Sequence, residues 1–147
     1  MTENDIAGRL SAEVAARGGL AVVTLVAADE RIERYRHPIP TAGRVERQVM
    51  LVLCARYRGL IGSATRLVHF GPLPEPLRRR HEAVCRVDAA LILGSRPGRA
   101  LGDVFAEAQA VYAETGFGDE WTLHHQGGPT GYATRDYLAV YPLFQPQ

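Results

Sequence analysis

Two apolar runs of strand length, Val49 to Ala55 (VMLVLCA) and Leu60 to Phe70 (LIGSATRLVHF), stand on either side of Arg56-Tyr57-Arg58-Gly59. Neither run approaches the roughly 20 apolar residues that a membrane-spanning helix needs. A short, glycine-closed interruption between two such runs leaves room only for a tight reversal. The chain must double back here as a β-hairpin, with both strands half or fully buried. The rest of the sequence has to supply what covers it.

Upstream, Ile6, Leu10 and Val14 recur at helical spacing, and Gly18-Gly19 supplies a residue for the left-handed C-cap, so a first helix ends there. Leu20 to Val26 (LAVVTLV) is continuously apolar, which predicts a strand covered on both faces and central in a sheet. An Arg-rich segment follows in which Pro38 and Pro40 restrict the backbone, so His37 sits on a stiffened loop. Downstream of Gly71-Pro72-Leu73-Pro74, the positions Leu77, Val84, Val87 and Leu91 predict a helix over 77–93. Val104, Phe105, Ala108, Val111 and Tyr112 predict another over 100–115, closing at Gly116. Trp121 to Tyr132 reads as strand and glycine-rich turn, and Tyr137 to Tyr141 as a last strand. This order predicts an α+β fold, one domain over 1–147, with helices on one face of a largely antiparallel sheet.

A length of 147 residues is one domain's worth of chain. A net charge of +1, from 17 basic against 16 acidic residues, creates no field to draw in nucleic acid or an acidic membrane. The Arg78-Arg79-Arg80 cluster reads as a solvated helix face, and His69 and His81 as surface histidines. Cys54 and Cys85 lie in apolar runs without a CxxC partner, which predicts buried, reduced thiols and a reducing compartment. The N-terminus has no basic-then-apolar leader, so a cytoplasmic location is expected.

Three segments in order, His37-Pro38-Ile39-Pro40, VMLVLCARYRGLIGSATR and LHHQGGPTGY, resemble the pita-bread superfamily of aminopeptidase P, prolidase, methionine aminopeptidase and creatinase. The resemblance implies a curved antiparallel sheet with the two long helices on its convex side, incomplete at the C-terminal end. It also implies that each hairpin strand gives a metal-binding Asp, the second three residues before an Arg. Here Thr65-Arg66 is kept, Ser63 stands at the second Asp position and Val52 at the first. His125 matches the family's single histidine ligand, and Tyr132 stands where peptidase relatives carry a further histidine. One imidazole is too few ligands for a stable site, so neither metal nor cofactor is expected.

The creatinase branch of the family works without metal, using a loop histidine to move protons, and His37 stands at that place. Imidazole suits the task because it is present in both protonation states near neutrality. The expected function is therefore hydrolysis of a small amide- or amidino-type substrate, with His37, His125 and Tyr132 as the catalytic group and His37 and His125 facing one cleft. Arg66, His124 and Arg135 are the substrate-binding candidates. For Arg66 the competing role is pairing with an acid across the hairpin. His124 and His125, adjacent on a predicted strand, point to opposite faces, so His124 alternatively caps or packs on the far side. Two other functions stay open: a catalytically silent subunit pairing as a homodimer through an exposed sheet edge, and an Xaa-Pro peptidase with metal ligands from outside the chain.

Overall fold

A computed structural model describes residues 1–136. The expected strand at Tyr137 to Tyr141 lies outside the described residues. These fall into two compact units, residues 1–73 with 130–136, and residues 74–129.

In the first unit, α1 (Glu3–Ala16) starts from a capping box. Asp5 N–H donates to Thr2 Oγ1 at 3.1 Å, and Thr2 N–H to the Asp5 carboxylate at 2.8 Å. It ends as expected at Gly18, whose φ is 76°, with Gly19 N–H on Val14 O and Gly18 N–H on Ala15 O satisfying the last carbonyls. Strand β1 (Leu20–Ala28) follows, then a single turn α2 (Arg31–Arg34), then β2 (Gln48–Tyr57) and β3 (Leu60–His69). The hairpin forms as the sequence requires, and its turn narrows to Arg58-Gly59, both at positive φ (50° and 88°), the combination that matches the twist of the flanking strands.

The three strands form an antiparallel sheet in the order β1-β2-β3, and α1 packs against β1. Two expectations are corrected. Among the described residues β1 is an edge strand of this sheet, with β2 central. Its apolar run reports burial on both faces at its C-terminal end, where Val26, Ala27 and Ala28 are buried, and says nothing of strand order. In β3 only Ile61 is buried, because Gly62 to Val68 have little packed over them among the described residues.

The second unit is a helical hairpin, α3 (Glu75–Gly94) and α4 (Leu101–Glu114), packed through Ala83, Val87, Val104, Phe105 and Ala108. The helices approach closely at Gly94, where a β-carbon would lie 3.1 Å from Val104 Cγ1. A short 3₁₀ helix (Glu120–Leu123) sets the Trp121 ring edge-on to Phe105, centroids 5.6 Å apart. Residues 124–136 form no strand, contrary to expectation. Cys54 is half-buried and Cys85 exposed, both free, so burial of both thiols is also corrected. An apolar run on a helix is core only along one stripe, and Cys85 lies off the stripe of Ala83 and Val87. No described helix is long and apolar enough to cross a membrane.

Candidate functional site

The loop between β1 and β2 carries His37, and side chains near both of its ends hold it. Glu3, fully buried at the start of α1, accepts Ala28 N–H at 2.7 Å and Arg31 Nε at 3.0 Å on one oxygen. Its other oxygen accepts Thr41 N–H at 2.8 Å and Thr41 Oγ1 at 2.6 Å. Burial alone would raise its pKa, but the Thr41 hydroxyl, the two backbone N–H groups and Arg31 outweigh that and hold the carboxyl below its usual range. At the base of the loop Asp29, at φ 51°, accepts the N–H groups of Glu46, Arg47 and Gln48. Between these anchors Arg31 reaches Ile39 O at 3.0 Å, Pro38 is fully buried, and His37 beside it is exposed.

On the hairpin, Val52 pairs with Thr65 and Cys54 with Ser63. Cross-strand partners and alternate residues share a face, so Val52, Cys54, Ser63 and Thr65 lie together, with Val52 and Ser63 diagonal to one another. The Ser63 hydroxyl donates to Cys54 Sγ at 3.2 Å. Neither strand contains an Asp or Glu. Arg66 lies on the opposite face, opposite Leu51, and donates to Thr65 O at 2.8 Å. With no acid on β2, the expected ion pair across the hairpin does not form. Residues 130–136 return to the same hairpin, where Gly131 O accepts Ile61 N–H at 2.9 Å and the Tyr132 ring covers the turn glycine, Gly59. Tyr132 is otherwise exposed, as is Arg135.

His124 and His125 belong to the second unit, and their rings lie against each other, centroids 3.9 Å apart. The expected opposite orientation is corrected, because it presumed a pleated strand and this segment leaves a 3₁₀ helix into glycine-rich coil. His124 Nδ1 donates to His125 O at 2.6 Å, since a carbonyl can only accept. His125 Nδ1 accepts Gly127 N–H at 3.3 Å, which assigns the proton of its neutral form to Nε2. Gln126 locks the segment: its amide N–H groups donate to Trp121 O and His124 O, and its Oε1 accepts the Tyr112 hydroxyl at 2.8 Å. Burial and then the Glu120 charge raise the Tyr112 pKa, keeping that hydroxyl a donor.

Glu3, Asp29, Tyr112 and Gln126 were not among the sequence candidates. Tyr112 reads as a core position of α4, and an acid in a helix's first turn reads as an ordinary complement to the helix dipole. Gln126 stood inside the histidine motif and was the one within reach.

Among curated proteins, no sequence match is found. The fold is shared with solved structures. The dipeptidase PepE of Mycobacterium ulcerans has a TM-score of 0.82 at 20% identity, covering 96% of this chain and 39% of that one. The X-Pro aminopeptidase of Thermotoga maritima has 0.81 at 21%, covering 97% and 41%. The prolidase of Pyrococcus horikoshii has 0.79 at 22%, covering 93% and 40%. The chain thus spans about two fifths of these relatives' length. The profile of metallopeptidase family M24 matches residues 1–141, nearly the whole sequence, and so the chain belongs to that family as a pita-bread domain.

Proposed function

We propose that this M24 domain acts without a bound metal, hydrolysing a C–N bond of a small amide- or amidino-type molecule by histidine acid–base chemistry. The observation that carries the reading is the donor set on the hairpin face. A dinuclear site holds hard dications through carboxylates, and the two diagonal positions here carry an aliphatic side chain, Val52, and a hydroxyl committed to Cys54, Ser63. His125 could ligate through Nε2 only by moving its proton to Nδ1, which breaks the bond from Gly127. Among the described residues no three His, Cys, Asp or Glu side chains gather as a metal site would need. Aliphatic and hydroxyl side chains at these positions are poor ligands for hard dications, which supports the metal-free reading.

In this reading His37 takes a proton from an attacking water as the C–O bond forms. It returns the proton to the leaving nitrogen as the C–N bond breaks. Positioned proton transfer of this kind contributes about 10²- to 10⁴-fold. Tyr132, on the same unit as His37, offers its hydroxyl as a donor that polarises the bond under attack. Arg66 and Arg135, on that unit, are the groups available to bind the substrate's polar ends.

The fold likeness to an X-Pro aminopeptidase and a prolidase favours a second reading, an Xaa-Pro peptidase whose metal ligands lie outside this sequence. Metal analysis of the purified protein, with a panel of amidino, amide and Xaa-Pro compounds assayed with and without chelator, separates the two. Turnover that survives chelation and is lost in His37→Ala is the expected result. Stoichiometric manganese, cobalt or zinc, or activity abolished by chelator, overturns it.

A further inference from the structure

We propose that Glu3 is a positioning residue for His37, the latch that fixes the histidine loop to the start of α1. The inference rests on the reading of His37 as the proton-transfer residue. A carboxylate buried without partners is costly, and a buried charge persists only where its surroundings supply hydrogen bonds. Glu3 receives four, and none comes from its own helix. The donors are the end of β1 (Ala28), the start of α2 (Arg31) and the far side of the loop (Thr41), so one group ties together three points that flank His37 on both sides.

The backbone reinforces the tie. Glu3 N–H donates to Gly43 O, Asn4 N–H to Thr41 O, and Val45 N–H to Met1 O, laying residues 41–45 along the first residues of the chain. Within the segment so fenced, the Arg31 guanidinium that touches Glu3 also holds Ile39 O. Pro38 is buried. A residue preceding proline is confined to extended backbone, so His37 has little freedom once Pro38 and Ile39 are fixed. The carboxylate thus reaches His37 through Arg31 and Thr41. Glutamine is the informative replacement: it keeps the shape but turns one acceptor oxygen into a donor, which then opposes the N–H groups converging on it.

The test compares wild type with Glu3→Gln by the ring signals of the five histidines in NMR, that of His37 being identified by its loss in His37→Ala. Tryptic cleavage after Arg34 and Arg36 is measured in parallel. The expected result is a displaced His37 signal and cleavage about tenfold faster or more, with secondary structure by circular dichroism unchanged. A folded Glu3→Gln protein whose His37 signal stays in place, with cleavage altered by less than about twofold, overturns the proposal. If Glu3→Gln does not fold, Thr41→Ala decides, since it leaves the Glu3 carboxylate in place and removes the hydroxyl that donates to it and accepts Gly43 N–H. A His37 signal moved by Thr41→Ala and restored by Thr41→Ser supports the latch. A signal unmoved by Thr41→Ala, or moved equally by Thr41→Ser, overturns it. Unchanged turnover in His37→Ala refutes the proton-transfer reading and leaves these readouts intact, so the two failures are distinguishable.

Discussion

Replacing Asp29 by Ala, Gly and Asn separates what its carboxylate contributes from what its backbone costs. The carboxylate accepts three N–H groups, at 3.0 Å from Glu46, 2.9 Å from Arg47 and 3.0 Å from Gln48. The first two face solvent, where water replaces the lost acceptor at little cost. The Gln48 bond is partly buried, and a hydrogen bond to a charged group is worth about 1.5–3 kcal/mol. Alanine must also hold φ at 51°, where its β-carbon costs about 1 kcal/mol. Asp29→Ala should therefore lose about 2.5–4 kcal/mol and Asp29→Gly about 1 kcal/mol less, even after glycine's extra unfolded-chain entropy. Asp29→Asn keeps an oxygen and tolerates the left-handed backbone, so it should lose only about 1 kcal/mol. Urea denaturation at neutral pH reads these differences, and for a chain of this size each kcal/mol moves Tm by about 2–4 °C.

The pH dependence is a second handle on the same residue. Burial would raise the Asp29 pKa, but the three N–H groups and the Arg47 charge outweigh it and leave it depressed. A depressed pKa gives stability that is complete above the unfolded value, about 3.9, and is lost as pH falls through the folded value. Asp29→Asn should flatten the stability profile below about pH 4. Equal stability of the Ala and Gly variants, or all three within about 0.5 kcal/mol of wild type, would refute the reasoning.

Three further outcomes follow from the geometry. Arg58→Asn in the hairpin turn, at φ 50°, should raise stability by about 0.5 kcal/mol in thermal melts, because asparagine tolerates that backbone better. A loss instead would place a necessary contact on Arg58. Gln126→Leu strips partners from Trp121 O, His124 O and the Tyr112 hydroxyl and should cost about 2–3 kcal/mol, whereas Tyr112→Phe should cost about 1 kcal/mol, both by denaturant titration. The β3 edge beyond Ile61, on which no other described strand lies, is expected to pair two copies as a homodimer. Light scattering showing only a 16.1 kDa species across a wide concentration range would count against that pairing.

Local chemistry made much of the fold legible. The Gly18 cap, the helices α3 and α4 and the reversal at Arg58-Gly59 each rest on residues within a few positions of one another. What was not legible depends on distant partners. No pattern in LAVVTLV distinguishes an edge strand from a central one, and the exposure of β3 is decided by what lies over it. The stretch after Trp121 has strand-like residues, but its polar backbone groups go to the Gln126 and His124 side chains instead of a ladder. The candidates His37 and His125 and the lack of Asp or Glu in the hairpin strands are visible in the sequence, while the roles given to them rest on the family resemblance. The function of Glu3 could not be read there, since its partner Thr41 is 38 residues away.

The first unit is discontinuous in sequence: it leaves off at Leu73 and resumes at Thr130. During synthesis the hairpin can pair as soon as Leu60 to His69 emerges, but two of its elements must wait. Ile61 N–H has no Gly131 O, and Gly59 no Tyr132 ring over it, until the whole α3–α4 hairpin has been made. A ribosome adding about 5–20 residues per second keeps that edge unfinished for several seconds. A chain stopped at Leu73 would keep it so permanently, with an unpaired β3 donor available for association with other chains. Residues 74–129 thus interrupt the sheet unit in sequence, and a fragment meant to isolate that unit has to join residues 1–73 to 130–136 across a linker.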